Sequence, residues 1–184
     1  MATEELIAGC IRGDRKAQYG MYRALYPMLM SICSRYERDR QNAMARLNEG
    51  FLKILQRLHE RREGVPFEAW VRRVMINTII DEFRRDRSRR EHEVPMDNGT
   101  INDHELINDY LHTMEAEALE VLLQKLPPMS RNVFNLFAVD GYGHGEIAEM
   151  LGMSIGTSKW HVSHARKILQ EAIGRLAITK VTIR

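Results

Sequence analysis

The chain has 184 residues, a formal net charge of +2, and 44% hydrophobic against 28% charged residues. This balance fits a folded protein of one domain or two small ones and excludes a disordered polyelectrolyte. No apolar run approaches the roughly 20 residues of a membrane span, the start MATEELIAGCIRGD is unlike a secretory leader, and two cysteines are too few for a disulfide framework or a metal site.

Almost every periodic segment has helical spacing, and no alternating run reads as a strand. A first helix is expected over about 4–12, capped by Thr3 and ended by Gly13. Asp14 caps a second, about 15–37, whose apolar face carries Tyr22, Leu25, Tyr26, Leu29 and Ile32, with a bend at Pro27. Leu47, Phe51, Ile54, Leu55 and Leu58 mark a third helix over about 39–60. A polar loop follows, and Pro66 fits the first position of a fourth helix. In that helix Phe67 and Trp70 share helical spacing with Val74 and Phe83, which places them with the core, base stacking being the alternative. It ends in five arginines within seven positions, Arg84, Arg85, Arg87, Arg89 and Arg90. One helix C-terminus does not call for so many cations, and backbone phosphates do. Arg72 and Arg73 extend that surface.

From about 91 to 112 periodicity is lost, around Pro95 and Asn98-Gly99. Residues 94–120 hold seven acids and no Lys or Arg, between an N-terminal stretch of net charge about +5 and a C-terminal one of about +4. Two basic blocks across an acidic joint point to polyanion binding at both ends. Beyond the joint, Thr113 starts a helix over 114–125 that Pro127-Pro128 end, and another spans 129 to about 139. The reading is an all-α chain: two small helical domains, residues 1–92 and 113–184, joined by a flexible acidic linker at 93–112. Cys10 and Cys33, each among apolar neighbours, read as buried thiols in a reducing cytoplasm.

The last segment, His144 to Gln170, reads as a helix-turn-helix. Ile147, Ala148, Met150 and Leu151 mark a short helix, Gly152 suits a left-handed end, and Ser154 is placed to cap the next. That second helix is poor in acids and carries Thr157, Ser158, Lys159, His161, Ser163, Arg166 and Lys167. These are side chains suited to base edges and phosphates, so they are the candidate DNA-reading set, while Trp160, Val162, Ile168 and Leu169 are available to pack. His161 and His164 have no Cys or acid beside them to complete a metal site. Enzyme chemistry lacks its parts: there is no phosphate-cradling glycine loop and no nucleophile-base constellation. No cofactor is expected. A stand-alone helix-turn-helix regulator would need a dimer interface to read paired half-sites, and no coiled coil is evident.

Two segments resemble the extracytoplasmic-function sigma factors. Leu126–Gln170 is similar to their C-terminal promoter-reading domain through Leu126-Pro127, Val133-Phe134, Gly141-Tyr142, Glu146-Ile147-Ala148, Leu151-Gly152, Gly156-Thr157, Lys159 and Ala165-Arg166. Phe67–Arg90 looks like their helix that melts promoter DNA, through Trp70, Arg73, Val74, Asn77 and Asp81. The resemblance implies a non-catalytic cytoplasmic initiation factor that binds core RNA polymerase, promoter DNA and an anti-sigma factor. It implies minus-ten contacts from Arg61, Arg62, Arg73, Asn77, Arg84, Arg85 and Arg87, with Asn77 and the loop 61–66 holding a flipped base. It assigns the candidate set on the second helix to the minus-thirty-five element, polymerase binding to Leu47, Glu49 and Lys53, and to the linker a path near the polymerase active site. One departure stands out. Where the family carries acids on the helix that docks on polymerase, this chain has Met44-Ala45-Arg46, which implies an altered interface.

Overall fold

The structure is a computed structural model that describes residues 4–62, 64–89 and 116–182. The chain divides into two compact units, Met1–Glu91 and His92–Arg184. The described residues are helical, with no strand among them. Thr3, Thr113 and the linker expected at 93–112 lie outside the described residues.

In the first unit, α1 (Glu4–Ile11) is closed by the left-handed Gly13, φ 78°. Asp14 then caps α2 (Arg15–Tyr36), its carboxylate accepting from the Lys16 N–H at 2.9 Å. Asp39 does the same for α3 (Arg40–Arg57), accepting from the Asn42 N–H at 3.0 Å. Such caps satisfy donors that the first helical turn leaves without intrahelical partners. The third helix stops short of residue 60; Leu58–Glu60 tighten into a 3₁₀ turn. Pro66 stands one position before α4 (Phe67–Arg89), its carbonyl accepting from the Trp70 N–H at 3.1 Å.

Met21, Leu25, Leu29 and Ile32 form the inner face of α2 and pack with Leu47 and Ile54 of α3 and Val71, Met75 and Ile79 of α4 as the buried core. Tyr22 and Tyr26, expected on that face, sit half-buried at its edge. The Tyr22 ring meets Phe51 edge-on at 5.0 Å, and its hydroxyl donates to Asn48 Oδ1 at 3.2 Å. The close pairing of α3 with α4 rests on Gly50: a Cβ there would overlap the Met75 thioether.

In the second unit, α5 (Ala116–Leu123) and Leu126 supply buried leucines. Pro128 does more than end the preceding helix: it is the first residue of α6 (Pro128–Phe134), where its missing N–H costs nothing. The helix expected to run to 139 instead widens into a π turn, Asn135–Val139, closed by the Asp140 N–H on the Asn135 carbonyl at 2.9 Å. Next come α7 (His144–Leu151) and α8 (Ile155–Thr182). α8 continues past the helix-turn-helix segment, through Gly174 to Thr182. No described helix is long and apolar enough to cross a membrane.

Candidate nucleic-acid interface

The helix-turn-helix forms as its residue chemistry dictates. The Gly143 N–H donates to the Glu146 carboxylate at 2.9 Å at the start of α7. Gly152 ends that helix in the left-handed region, φ 63°, where any Cβ is strained. Ser154 Oγ accepts from the Thr157 N–H at 3.0 Å and starts α8.

The inward face of α8 is not purely apolar. Val162, Ala165 and Leu169 are buried, but so are Ser158 and His161, at 0% and 6% exposure. Ser158 Oγ lies 3.0 Å from His144 Nδ1, and His161 Nδ1 lies 3.0 Å from Ser130 Oγ. The expectation that Ser158 and His161 touch DNA is therefore corrected: buried hydroxyl and imidazole groups need partners, and these two found them inside the domain. Lys159 and Lys167 are exposed, and Thr157, Ser163 and Arg166 are half-buried. The Arg166 guanidinium lies 5.7 Å from the Phe137 ring centroid, and that ring stacks on His144 at 4.4 Å. Burial, then the charges of Lys159 and Arg166, hold the His144 imidazole below its ordinary pKa. Trp160 is half-exposed and stacks on His164 at 4.8 Å.

In the first unit α4 turns its polar side outward. Arg73, Asn77, Asp81 and Arg84 are exposed at positions that share one stripe of the helix, with the half-exposed Trp70 at its head. Phe67 and Trp70 are thus not core residues: they stack on each other at 6.3 Å at the surface. Arg62 is exposed, whereas Arg61 works within the domain. It donates from Nη1 to the Val65 carbonyl at 2.9 Å, pairs with Glu4 at 3.5 Å and lies 6.0 Å from the Phe67 ring. These contacts hold the loop before α4. Lys53, Asp81, Arg84 and Arg85 line an open groove of about 550 Å³. Arg87 belongs to α4, but its side chain lies outside the described residues.

The expected polymerase set is redistributed as well. Leu47, expected at the polymerase contact, is 0% exposed and stands in the core of its domain. Glu49 and Lys53 pair at 3.2 Å. Glu49 also takes Arg46 at 3.1 Å and Arg85 at 3.5 Å. Burial works to raise the Glu49 carboxyl, but hydrogen bonds and charge from Lys53 and Arg46 outweigh it and hold it below the ordinary carboxylate range. Arg46, the last residue of the departing Met44-Ala45-Arg46 stretch, reaches Glu37 and Glu82 as well, each at 3.4 Å. It joins the end of α2, α3 and α4 through three carboxylates. Only its unexpected charge sign, in a stretch where acids were anticipated, marked it in the sequence.

Residues 21–89 match the profile of Sigma-70 region 2, and residues 116–169 match that of Sigma-70, region 4. The chain belongs to the extracytoplasmic-function sigma factors. Its function is promoter-specific initiation of transcription by RNA polymerase, without catalysis of its own. Among its relatives are ECF RNA polymerase sigma factor SigM of Mycobacterium tuberculosis, 26% identical over 100% of this chain and 90% of that protein. Another is the RNA polymerase sigma-H factor of Pseudomonas aeruginosa, 24% identical over 92% of this chain and 93% of that one. The fold is shared with sigma factor RpoE of Bartonella quintana, solved with the anti-sigma factor NepR. There the TM-score is 0.51 at 18% identity, over 85% of this sigma factor and 96% of that chain.

Proposed function

We propose that the sigma factor grips promoter DNA with two separate surfaces. The exposed stripe of α4, with Arg73, Asn77, Arg84 and Arg85, serves the minus-ten element together with Arg62 of the preceding loop and Arg87. The outward face of α8, with Thr157, Lys159, Ser163, Arg166 and Lys167, serves the minus-thirty-five element. The division into an N-terminal domain at 1–92, a linker at 93–112 and a C-terminal domain at 113–184 belongs to this reading. Core polymerase docks on the side of the N-terminal domain that carries Glu49 and Lys53. The partners include an anti-sigma factor, as for the Bartonella relative, and the chain works in the cytoplasm.

The observation that carries this reading is the stripe of α4, where a half-exposed aromatic ring, an amide and two arginines share one face with the single carboxylate of Asp81. Arginines neutralise phosphate, and an aromatic face with a neighbouring amide receives an unstacked base. Opening DNA costs about 1.4 kcal/mol per base-pair step on average, so receiving that base matters after initial binding. Asn77→Ala is therefore expected to reduce open-complex formation, read by permanganate reactivity, more than it reduces closed-complex affinity. Equal losses in both would count against a melting role.

A further inference from the structure

Ser158 and His161 lie on one turn of α8 and point toward the domain interior on either side of its inward direction. Each meets a different element. Ser158 reaches His144, the first residue of α7, at 3.0 Å. His161 reaches Ser130 in α6 at 3.0 Å. The apolar residues that share this face are Val162, Ala165, Leu169 and Ala172. Small and branched side chains bury area, but burial has no direction, and such a face constrains the roll of a helix less sharply than directional bonds do. Hydrogen bonds are directional and fail within a few tenths of an ångström or a few tens of degrees. A one-residue slip rotates an α-helix by about 100°. Here such a slip would break both bonds at once, the buried His161–Ser130 bond and the half-buried Ser158–His144 bond.

We propose that the pairs Ser158–His144 and His161–Ser130 form a clamp that sets the roll and axial position of α8, and through it which bases Lys159, Ser163 and Lys167 meet. These four are positioning residues: they act through the exposed side chains and touch no DNA. The proposal rests on the reading of α8 as the DNA-facing helix. It assigns the clamp a share in sequence discrimination, beyond what it adds to stability.

The test uses the full chain assembled with core polymerase. The probe is the DNA that the wild-type holoenzyme selects from a pool randomised at the upstream element, with its single-base variants and an unrelated duplex. Ser158→Ala removes one bond at little change in volume. The double variant Ser130→Ala/His161→Leu replaces both partners of the other bond with apolar groups, so that neither is left as an unsatisfied buried polar group. Each is expected to lower the affinity ratio of selected over single-base-variant DNA about tenfold, with affinity for the unrelated duplex unchanged. His161→Asn, which keeps a hydrogen-bonding atom near the place of Nδ1, is expected to recover most of the ratio. A ratio unchanged in both variants, or an equal loss on every duplex, overturns the clamp. Lys159→Ala and Lys167→Ala distinguish failure of the clamp from failure of DNA contact by α8. They are expected to weaken the selected DNA most and every duplex to some degree, and to flatten the salt dependence. If they alter binding to none, the DNA-facing reading itself falls, and the clamp with it.

Discussion

Leu47 and His144 show how single side chains divide between holding this sigma factor together and serving its partners. Leu47 is fully buried, and truncating such a leucine leaves a cavity. Leu47→Ala is expected to lower unfolding free energy by about 2–5 kcal/mol in urea titration, while polymerase affinity measured well below the new melting temperature is unchanged. A selective loss of polymerase binding with full stability would return Leu47 to the interface. His144 is held neutral by burial and by Lys159 and Arg166, so its folded pKa lies below that of the unfolded chain. The unfolded state then binds more protons in acid, and stability rises with pH. The contribution of neutral His144 is complete above about pH 6.5 and is lost as pH falls below it. His164 is shifted the same way by burial and Lys167. Melting temperatures from pH 7.5 to 5 are expected to fall more steeply for the wild type than for His144→Phe. The polar types of Ser158 and His161 concealed their inward position, because composition marks apolar faces and not polar groups satisfied 14 and 31 residues away. Their spacing did carry the signal: 158, 161, 165, 169 and 172 keep one helical phase with Val162.

At the scale of elements, the junction of α3 with α4 sets where both candidate surfaces of the N-terminal domain stand. Gly50 permits the approach, since a Cβ would overlap the buried Met75. Gly50→Ala gains at most about 1 kcal/mol of helix propensity and costs about 1–3 kcal/mol in overpacking, so a net loss is expected. Met75→Ala in the same chain opens room for the new methyl, so the double variant is expected to be more stable than the sum of the two single losses predicts. Strict additivity would show that the helices do not meet there. The ion pairs of Arg46 brace the same junction from its rim. Their side chains keep about a fifth to a third of their exposure, so each pair contributes no more than about 1 kcal/mol and is weakened by salt. Helix existence, the caps at Asp14 and Ser154, and the turn at Gly152 were legible because local chemistry determines them. The π turn at Asn135–Val139 and the Arg46 hub were not. Both depend on what tertiary packing brings against the helix, which no local pattern encodes.

At the scale of the whole molecule, two basic surfaces stand on two units, with the acids of 94–120 between them in the sequence. Each surface neutralises its own stretch of phosphate, and so each should fail independently of the other. The most direct test is selection of promoter DNA from a randomised pool by the reconstituted holoenzyme. The wild type is expected to recover two enriched blocks. Lys159→Ala/Lys167→Ala should erase only the upstream block, and Arg73→Ala/Asn77→Ala only the downstream one. A single block, or two blocks that vanish together with either pair of substitutions, would contradict the two-surface account.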